Sequence, residues 1–384
     1  VNVRIYLDHN ATTPLRDEVL AAMTEALRDR FGNPSSAHAE GSAARAAVER
    51  ARAQAAALLG AQPAEILLTG GATEANNTAL LGVLRARTGA GRHLVTTAVE
   101  HPSVEAPAAH LEREGWRVTR VGVDADGRVD ADAVVAAIAP DTVLVSVIWA
   151  NNETGTVQPV ERIAARARER GVLVHSDATQ AIGKLPVDLR RVPVDLLSLS
   201  AHKFNGPKGV GCLFARDGID FEPLLHGGPQ ERRRRGGTEN VAGVVGLGVA
   251  CALVQRELGD RIARAARLRD RLWEGIQAKV PRVRRNGSAT HGLPNTLNVE
   301  FAGAAGEVLL QALDLEGVAV SAGAACASGS IEPSPVLVAM GRTPEAARGS
   351  LRFSVGWGVD EAQIDRTLAI LPDLVERARG AGRA

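Results

Sequence analysis

The chain has 384 residues, enough for two domains, and its 45% hydrophobic and 23% charged residues are the composition of a folded globular protein, which excludes a disordered chain. With 45 basic residues against 44 acidic ones the net charge is +1, so no whole-molecule field draws it to nucleic acid or to an anionic membrane, and a small neutral or zwitterionic substrate fits better. The polar N-terminus and the lack of an uninterrupted apolar run of roughly 18 residues lead to the expectation of a soluble, cytoplasmic protein with no membrane partner.

Taken in chain order, short β-branched runs alternate with Ala- and Arg-rich amphipathic stretches: 65–68 before 73–87, 93–96 before 104–114, 142–148 before 160–170, then 172–175 and 194–199. This alternation predicts an α/β fold with a mostly parallel sheet covered by helices, in which ligands collect at the carboxyl ends of strands. Helical patterns follow over 241–257 and 262–279, then a Gly- and Pro-containing stretch near residues 286–294, then a further α/β run. A smaller domain is therefore expected to begin near residue 258. The division is a large domain over 15–257 and a small one made of 1–14 and 258–384.

Three cysteines, Cys212, Cys251 and Cys326, are too few and too scattered for a disulfide framework or a zinc cluster, so no metal site is expected. Cys212 falls in a strand pattern and Cys251 in an apolar helix, where buried, inert thiols are expected. Lysine usage is more informative. Only four of the 45 basic residues are lysines, Lys184, Lys203, Lys208 and Lys279. An arginine-rich chain keeps lysine where a guanidinium cannot substitute, and a Schiff base is one such place; a genomic base-composition bias would leave the same scarcity.

Three segments carry candidate chemistry. Residues 67–76 run from a strand through Gly70 and Gly71 into the helical stretch 73–87, which sets backbone N–H groups and a positive dipole end at a turn suited to phosphate; a plain tight turn with Thr73 as a cap reads the same way. Asp177 closes an apolar strand, where a carboxylate can pair with a protonated pyridine nitrogen or merely cap the next turn. Lys203 follows another apolar strand among small residues and glycines, the setting for a covalently held cofactor, although a lone lysine is more often a surface residue. Phosphate turn, strand-end aspartate and strand-end lysine in this order are far more specific together than singly.

With these segments in view, the chain resembles the cysteine desulfurases of the NifS/IscS type, in the class V branch of fold-type I pyridoxal-phosphate enzymes. The matching stretches are 6–14, 32–36, 70–76, 100–102, 151–155, 177–180, 200–211, 227–240 and 321–329, in family order over nearly the whole chain. The resemblance implies a large sheet domain with a smaller α/β domain, and pyridoxal 5'-phosphate as cofactor. It implies that Ala72 and Thr73 bind the phosphate with help from Ser200 and His202, that His101 stacks on the ring, and that Asn152 and Gln180 reach its phenolic oxygen. Asp177 would face the ring nitrogen and Lys203 would hold the cofactor covalently. Thr238 would reach the phosphate of a neighbouring subunit, which implies a homodimer, and Arg352 would clamp the carboxylate of the substrate L-cysteine.

The resemblance also implies that Cys326, within Ser321 to Gly329, takes sulfur from cysteine as a persulfide, with alanine as product and a protein or small thiol as sulfur acceptor. Ala324, Gly70 and Pro335 depart from residues common among relatives without removing a group the chemistry needs. The last residues lack the hydrophobic tail some iron–sulfur relatives use for their scaffold, which leaves the acceptor open. Another class V enzyme sharing Lys203 and Asp177, and a cofactor-binding regulatory protein without turnover, are the rival readings.

Overall fold

A computed structural model describes residues 4–322 and 332–381. The strands are β1 (Ile5–Tyr6), β2 (Ile66–Thr69), β3 (His93–Thr97), β4 (Arg117–Val121), β5 (Thr142–Ser146), β6 (Leu173–Asp177), β7 (Leu196–Ser200), β8 (Gly211–Ala215), β9 (Val283–Asn286), β10 (Thr296–Phe301), β11 (Val318–Ala319) and β12 (Ser350–Ser354). Seven of them form one sheet in the order β2-β8-β7-β6-β5-β3-β4. Only β8 runs against its neighbours, so the sheet is mostly parallel, as the strand–helix alternation predicts. Because β8 is inverted between β2 and β7, those two strands point the same way. Their carboxyl ends lie on the same edge as that of β6, and this places the site.

The sheet is buried on both faces, and alternation along each strand assigns side chains to opposite layers. Val95, Val145, Val174 and Leu197 enter one core, where the helices Ala39–Leu59 and Val160–Glu169 pack. Leu94, Leu144, Leu196 and Leu213 enter the other, beneath the helix Pro102–Arg113 and the helical stretch that starts at Ala72. β4 carries Arg117 and Arg120 at the sheet's far edge. An edge strand half-covered by charged side chains has no apolar run to betray it, which is why the sequence reading passes over it.

A separate core gathers Ile5 and Leu7 with Leu297, Val299, Leu351 and Phe353 and with the helices Gly306–Leu315 and Glu361–Ala381. Its sheet is antiparallel, β12-β10-β9, with β1 and β11 paired beside it. The two helical patterns expected over 241–257 and 262–279 are one continuous helix, Val241–Lys279. Between the two patterns, a side chain at Gly259 would meet nothing within 4 Å, and an exposed helical glycine costs only about 1 kcal/mol. Leu247 and Val254 belong to the large sheet's core and Leu268, Leu272 and Ile276 to the antiparallel one, so the helix passes from one core to the other. Its first half is apolar enough to cross a membrane by length and composition, and packing against the large sheet accounts for that character.

Beside single left-handed residues at Asn205 and Arg282, one run of backbone departs from ordinary geometry. Glu231, Arg232 and Arg233 are successive non-glycine residues with φ of 45°, 58° and 65°. The left-handed region costs about 1–2 kcal/mol per such residue, so the surrounding structure must hold the turn. Glu231 is buried against Arg52, whose Nη2 lies 2.6 Å from its carboxylate.

Leu247→Ala and Leu272→Ala remove fully buried side chains from different cores. Each should lower unfolding free energy by about 2–5 kcal/mol, and the losses should add in the double variant because the sites share no partner; denaturant titration measures both.

Candidate active site

A cleft of about 1070 Å³ opens at the carboxyl ends of β2, β6 and β7. Ala72, Thr73, His101, Asn152, Asp177, Gln180, Ser200, His202, Lys203 and Arg352, which lie far apart in sequence, all line it. Thr238 is exposed and is not among the lining residues, so within one chain it stands apart from the others. Cys326 lies outside the described residues; Ser321, five positions before it, lines the cleft.

At the β2 end, Gly71 has φ of +147° and precedes the helix at Ala72 without providing a side-chain cap. A side chain is rarely tolerated there, and the first helical N–H groups are left for an anion. Lys203 follows β7 in a single helical turn, and its Nζ donates to the carbonyl oxygens of Asn10 at 2.7 Å and Ala11 at 2.8 Å. Both acceptors are neutral. Burial, reinforced by Arg352, pushes the Lys203 amine down to about 8, against the opposing pull of Asp177 and Asp8.

Asp177, at the end of β6 and 3% exposed, accepts from the Thr179 N–H at 2.9 Å and from Asn76 Nδ2 at 2.8 Å. Asn76 also donates to Ser103 Oγ at 2.8 Å, and that oxygen is 2.8 Å from His101 Nδ1. The Ser103 N–H donates to the same Nδ1 at 3.1 Å, so Nδ1 is the acceptor and the neutral ring carries its proton on Nε2. Burial lowers the His101 pKa, with Lys203 acting in the same direction and Asp177 opposing. His202 is pushed down to about 4, chiefly by burial and then by lysines.

Asn10 ties these groups together. Its carbonyl accepts from Gln180 Nε2 at 2.9 Å as well as from Lys203, and its Oδ1 accepts from Lys184 Nζ at 2.9 Å. Its Nδ2 donates to the Asn152 carbonyl at 3.1 Å and to Thr296 Oγ1 at 2.8 Å. Gln180 Oε1 in turn accepts from Lys184. Arg352, on β12 and 4% exposed, donates to the Asn152 carbonyl at 2.9 Å and to Asp8 Oδ1 at 2.6 Å, while its buried Nε has no hydrogen-bond partner among the described residues. The Ser321 N–H donates to the Arg352 carbonyl at 3.1 Å, and the return bond is 2.7 Å.

Asn10, Asn76 and Lys184 were not singled out for a role by the sequence reading. Asn10 and Asn76 sit inside matched stretches, and the scarcity of lysine was the available signal for Lys184. Cys212 and Cys251 are buried, and burial pushes the Cys212 thiol up to about 12 and raises the Cys251 thiol well above its ordinary value, as expected of inert thiols. A second cavity of about 310 Å³ backs onto Lys203 and Lys184 from the side of Glu257, Arg261 and Trp357. It has neither Asp177 nor the Gly70–Gly71 turn, so the convergent polar groups belong to the larger cleft.

The aminotransferase class-V family matches residues 5–367. The chain is 50% identical to a cysteine desulfurase of Cereibacter sphaeroides over 378 residues, 98% of this chain and 97% of the relative. The chain belongs to the class-V aminotransferase family. Within it, the likeness is to the cysteine desulfurases. Among solved structures, a NifS-like protein superposes with a TM-score of 0.92 at 37% identity, covering 98% of this chain and 100% of that one. SspA in complex with cysteine does so with a TM-score of 0.82 at 37% identity, covering 92% and 99%. Enzymes of this family work with pyridoxal 5'-phosphate. The donor set fits that group: an uncapped helix start behind a glycine for the phosphate, a buried carboxylate for the ring nitrogen, and an amine held only by neutral carbonyls for the aldehyde.

Two outcomes test this electrostatic arrangement. Acylation of Lys203 in the cofactor-free protein, followed by peptide mapping, should speed up about tenfold per pH unit below its pKa and level off above about 8. An inflection near the ordinary lysine value would contradict the geometry. Glu100, buried with Oε1 accepting from Thr97 Oγ1 at 2.6 Å and from the Ile148 N–H at 2.9 Å, is raised to about 8 by burial. A raised carboxyl contributes stability that is complete below the unfolded value and lost as pH rises through about 8. Glu100→Gln should therefore gain in melting temperature relative to the parent between pH 5 and pH 8, with the gap widening upward.

Proposed function

We propose that the chain is a pyridoxal-phosphate-dependent cysteine desulfurase, which converts L-cysteine to L-alanine and holds the sulfur as a persulfide on Cys326. The observation that carries this reading is the convergence of Lys203, Asp177, His101 and Arg352 on one cleft whose rim strand is bonded to Ser321. Ser321, which lines that cleft, precedes Cys326 by five positions.

Ala72, Thr73, Ser200 and His202 would hold the phosphate, Asn152 and Gln180 the phenolic oxygen, and Asp177 a proton on the ring nitrogen. When bound, the cofactor supplies an electron sink for negative charge at the substrate Cα. Arg352 would fix the cysteine carboxylate by a two-pronged contact, exchanging its bond to Asp8 for one to substrate. Lys203, with its amine partly free near neutral pH, is suited to take and return the proton at Cα. His101, with Nε2–H directed by the bonds at Nδ1, would stack on the ring and steady proton movement above it. The Cys326 thiolate would then bond to the substrate sulfur as the Cβ–S bond breaks, the bonding electrons staying with the three-carbon product that leaves as alanine.

The proposal includes a homodimer, in which the exposed Thr238 would meet the partner's phosphate, a cytoplasmic setting, and transfer of the persulfide sulfur to an acceptor protein for iron–sulfur cluster assembly or for thiolation of a cofactor or tRNA.

The test is release of alanine and sulfide from L-cysteine with a reductant, comparing the yellow holoenzyme with Cys326→Ala. The parent should make both products and the variant should keep its colour and lose turnover. Equal activity of the two proteins would remove Cys326 as the sulfur acceptor.

A further inference from the structure

β2 lies at the edge of the seven-stranded sheet and bonds only to β8. Its other side therefore presents backbone donors and acceptors that no strand among the described residues receives. Two ion pairs stand in that place. Arg52 Nη1 donates to the Ile66 carbonyl at 2.8 Å, and the Glu231 carboxylate accepts the Leu68 N–H at 2.9 Å. The two side chains are joined by contacts of 2.6 and 2.8 Å, with 7% and 3% of their side-chain surface exposed. Further along, Glu74 accepts the Gly70 N–H at 2.7 Å and itself receives Arg235 at 3.0 Å. Residues 66, 68 and 70 recur with the strand's own period of two, so these side chains occupy the register of a missing neighbour.

A buried ion pair is weak evidence of added stability, because dehydrating both charges offsets most of their attraction. Here the pair also anchors the left-handed turn at Glu231, Arg232 and Arg233. Strained backbone kept in place by dehydrated charges marks a position that matters more than its cost. The position in question is the strand that ends in the Thr69 to Thr73 turn.

We propose that the Arg52–Glu231 pair is a positioning device: it replaces the absent strand along β2 and so holds the Gly70–Gly71 turn that sets the uncapped N–H groups of Ala72 and Thr73 toward the cofactor phosphate. Neither side chain touches the cofactor in this assignment. The inference rests on the pyridoxal-phosphate reading above.

The test compares dissociation constants of pyridoxal phosphate and of pyridoxal, which has the same ring and aldehyde but no phosphate, by absorbance on protein stripped of cofactor and reloaded. Glu231→Gln should weaken pyridoxal phosphate about tenfold or more and leave pyridoxal within about twofold, so that the preference for the phosphorylated form shrinks. Equal loss for both ligands would make the pair a general scaffold and overturn the proposal, as would no loss for either. A parent protein without any preference for the phosphorylated form would instead overturn the cofactor reading itself. Should Glu231→Gln not fold, Arg52→Lys keeps the charge but cannot span the Ile66 carbonyl and both carboxylate oxygens. The same selective loss is expected of it, and an equal loss would be fatal.

Discussion

The Asn10 carbonyl accepts from both the Lys203 amine and the Gln180 amide, while the Asn10 side chain bonds Lys184, the Asn152 carbonyl and Thr296. Its neighbours Ile5 and Leu7 are buried in the antiparallel core, whereas Lys203 and Gln180 follow strands of the large sheet. One buried residue thus ties together two bodies that also share the helix Val241–Lys279 and further bonds, such as Leu293 N–H to the Gly155 carbonyl and Ser334 Oγ to Glu153. The cleft exists because that junction brings Arg352 on β12 opposite Asp177 and Lys203. Arg352 adds its own bond across the seam, to the Asn152 carbonyl at 2.9 Å.

Electrostatics in the cleft follow from this frame. Lys203 is dehydrated by burial and faces Arg352, and its hydrogen-bond acceptors are carbonyls that carry no full charge. Arginine in the same place would remain protonated, so the free amine that chemistry at an aldehyde needs is available only from lysine. Asp177 and His101 do not act as separate groups either. The chain of bonds through Asn76 and Ser103 links the carboxylate to the imidazole, so that the two are held as one hydrogen-bonded unit.

Much of this was legible in the residues. Buried strands such as β5 and β7 declare themselves as apolar runs, and the turns after β2, β6 and β7 carry the glycines, the aspartate and the lysine that a strand-end site requires. Edge strand β4 did not, because its Arg117 and Arg120 face solvent and opposite charges. The unbroken helix through Gly259 was hidden for a related reason: its apolar face changes core partway, so no single periodicity runs through it. Asn10, Asn76 and Lys184 were missed because a buried amide or amine declares itself only by the partners that tertiary structure brings to it. Thr238 shows the converse, a residue in a matched stretch that one chain alone leaves exposed.

Lysine scarcity has a consequence for the chemistry of handling an aldehyde. Of the four lysines, Lys184 is 8% exposed and engaged by two amide oxygens, and Lys203 is the amine of the cleft. That leaves Lys208, itself on the cleft wall, and Lys279 as exposed side-chain amines among the described residues. A reactive carbonyl diffusing around such a molecule meets guanidinium groups almost everywhere and competing primary amines almost nowhere. The protein surface outside the cleft is in effect passivated, so that condensation is channelled to the cleft's own amines by exclusion as much as by attraction.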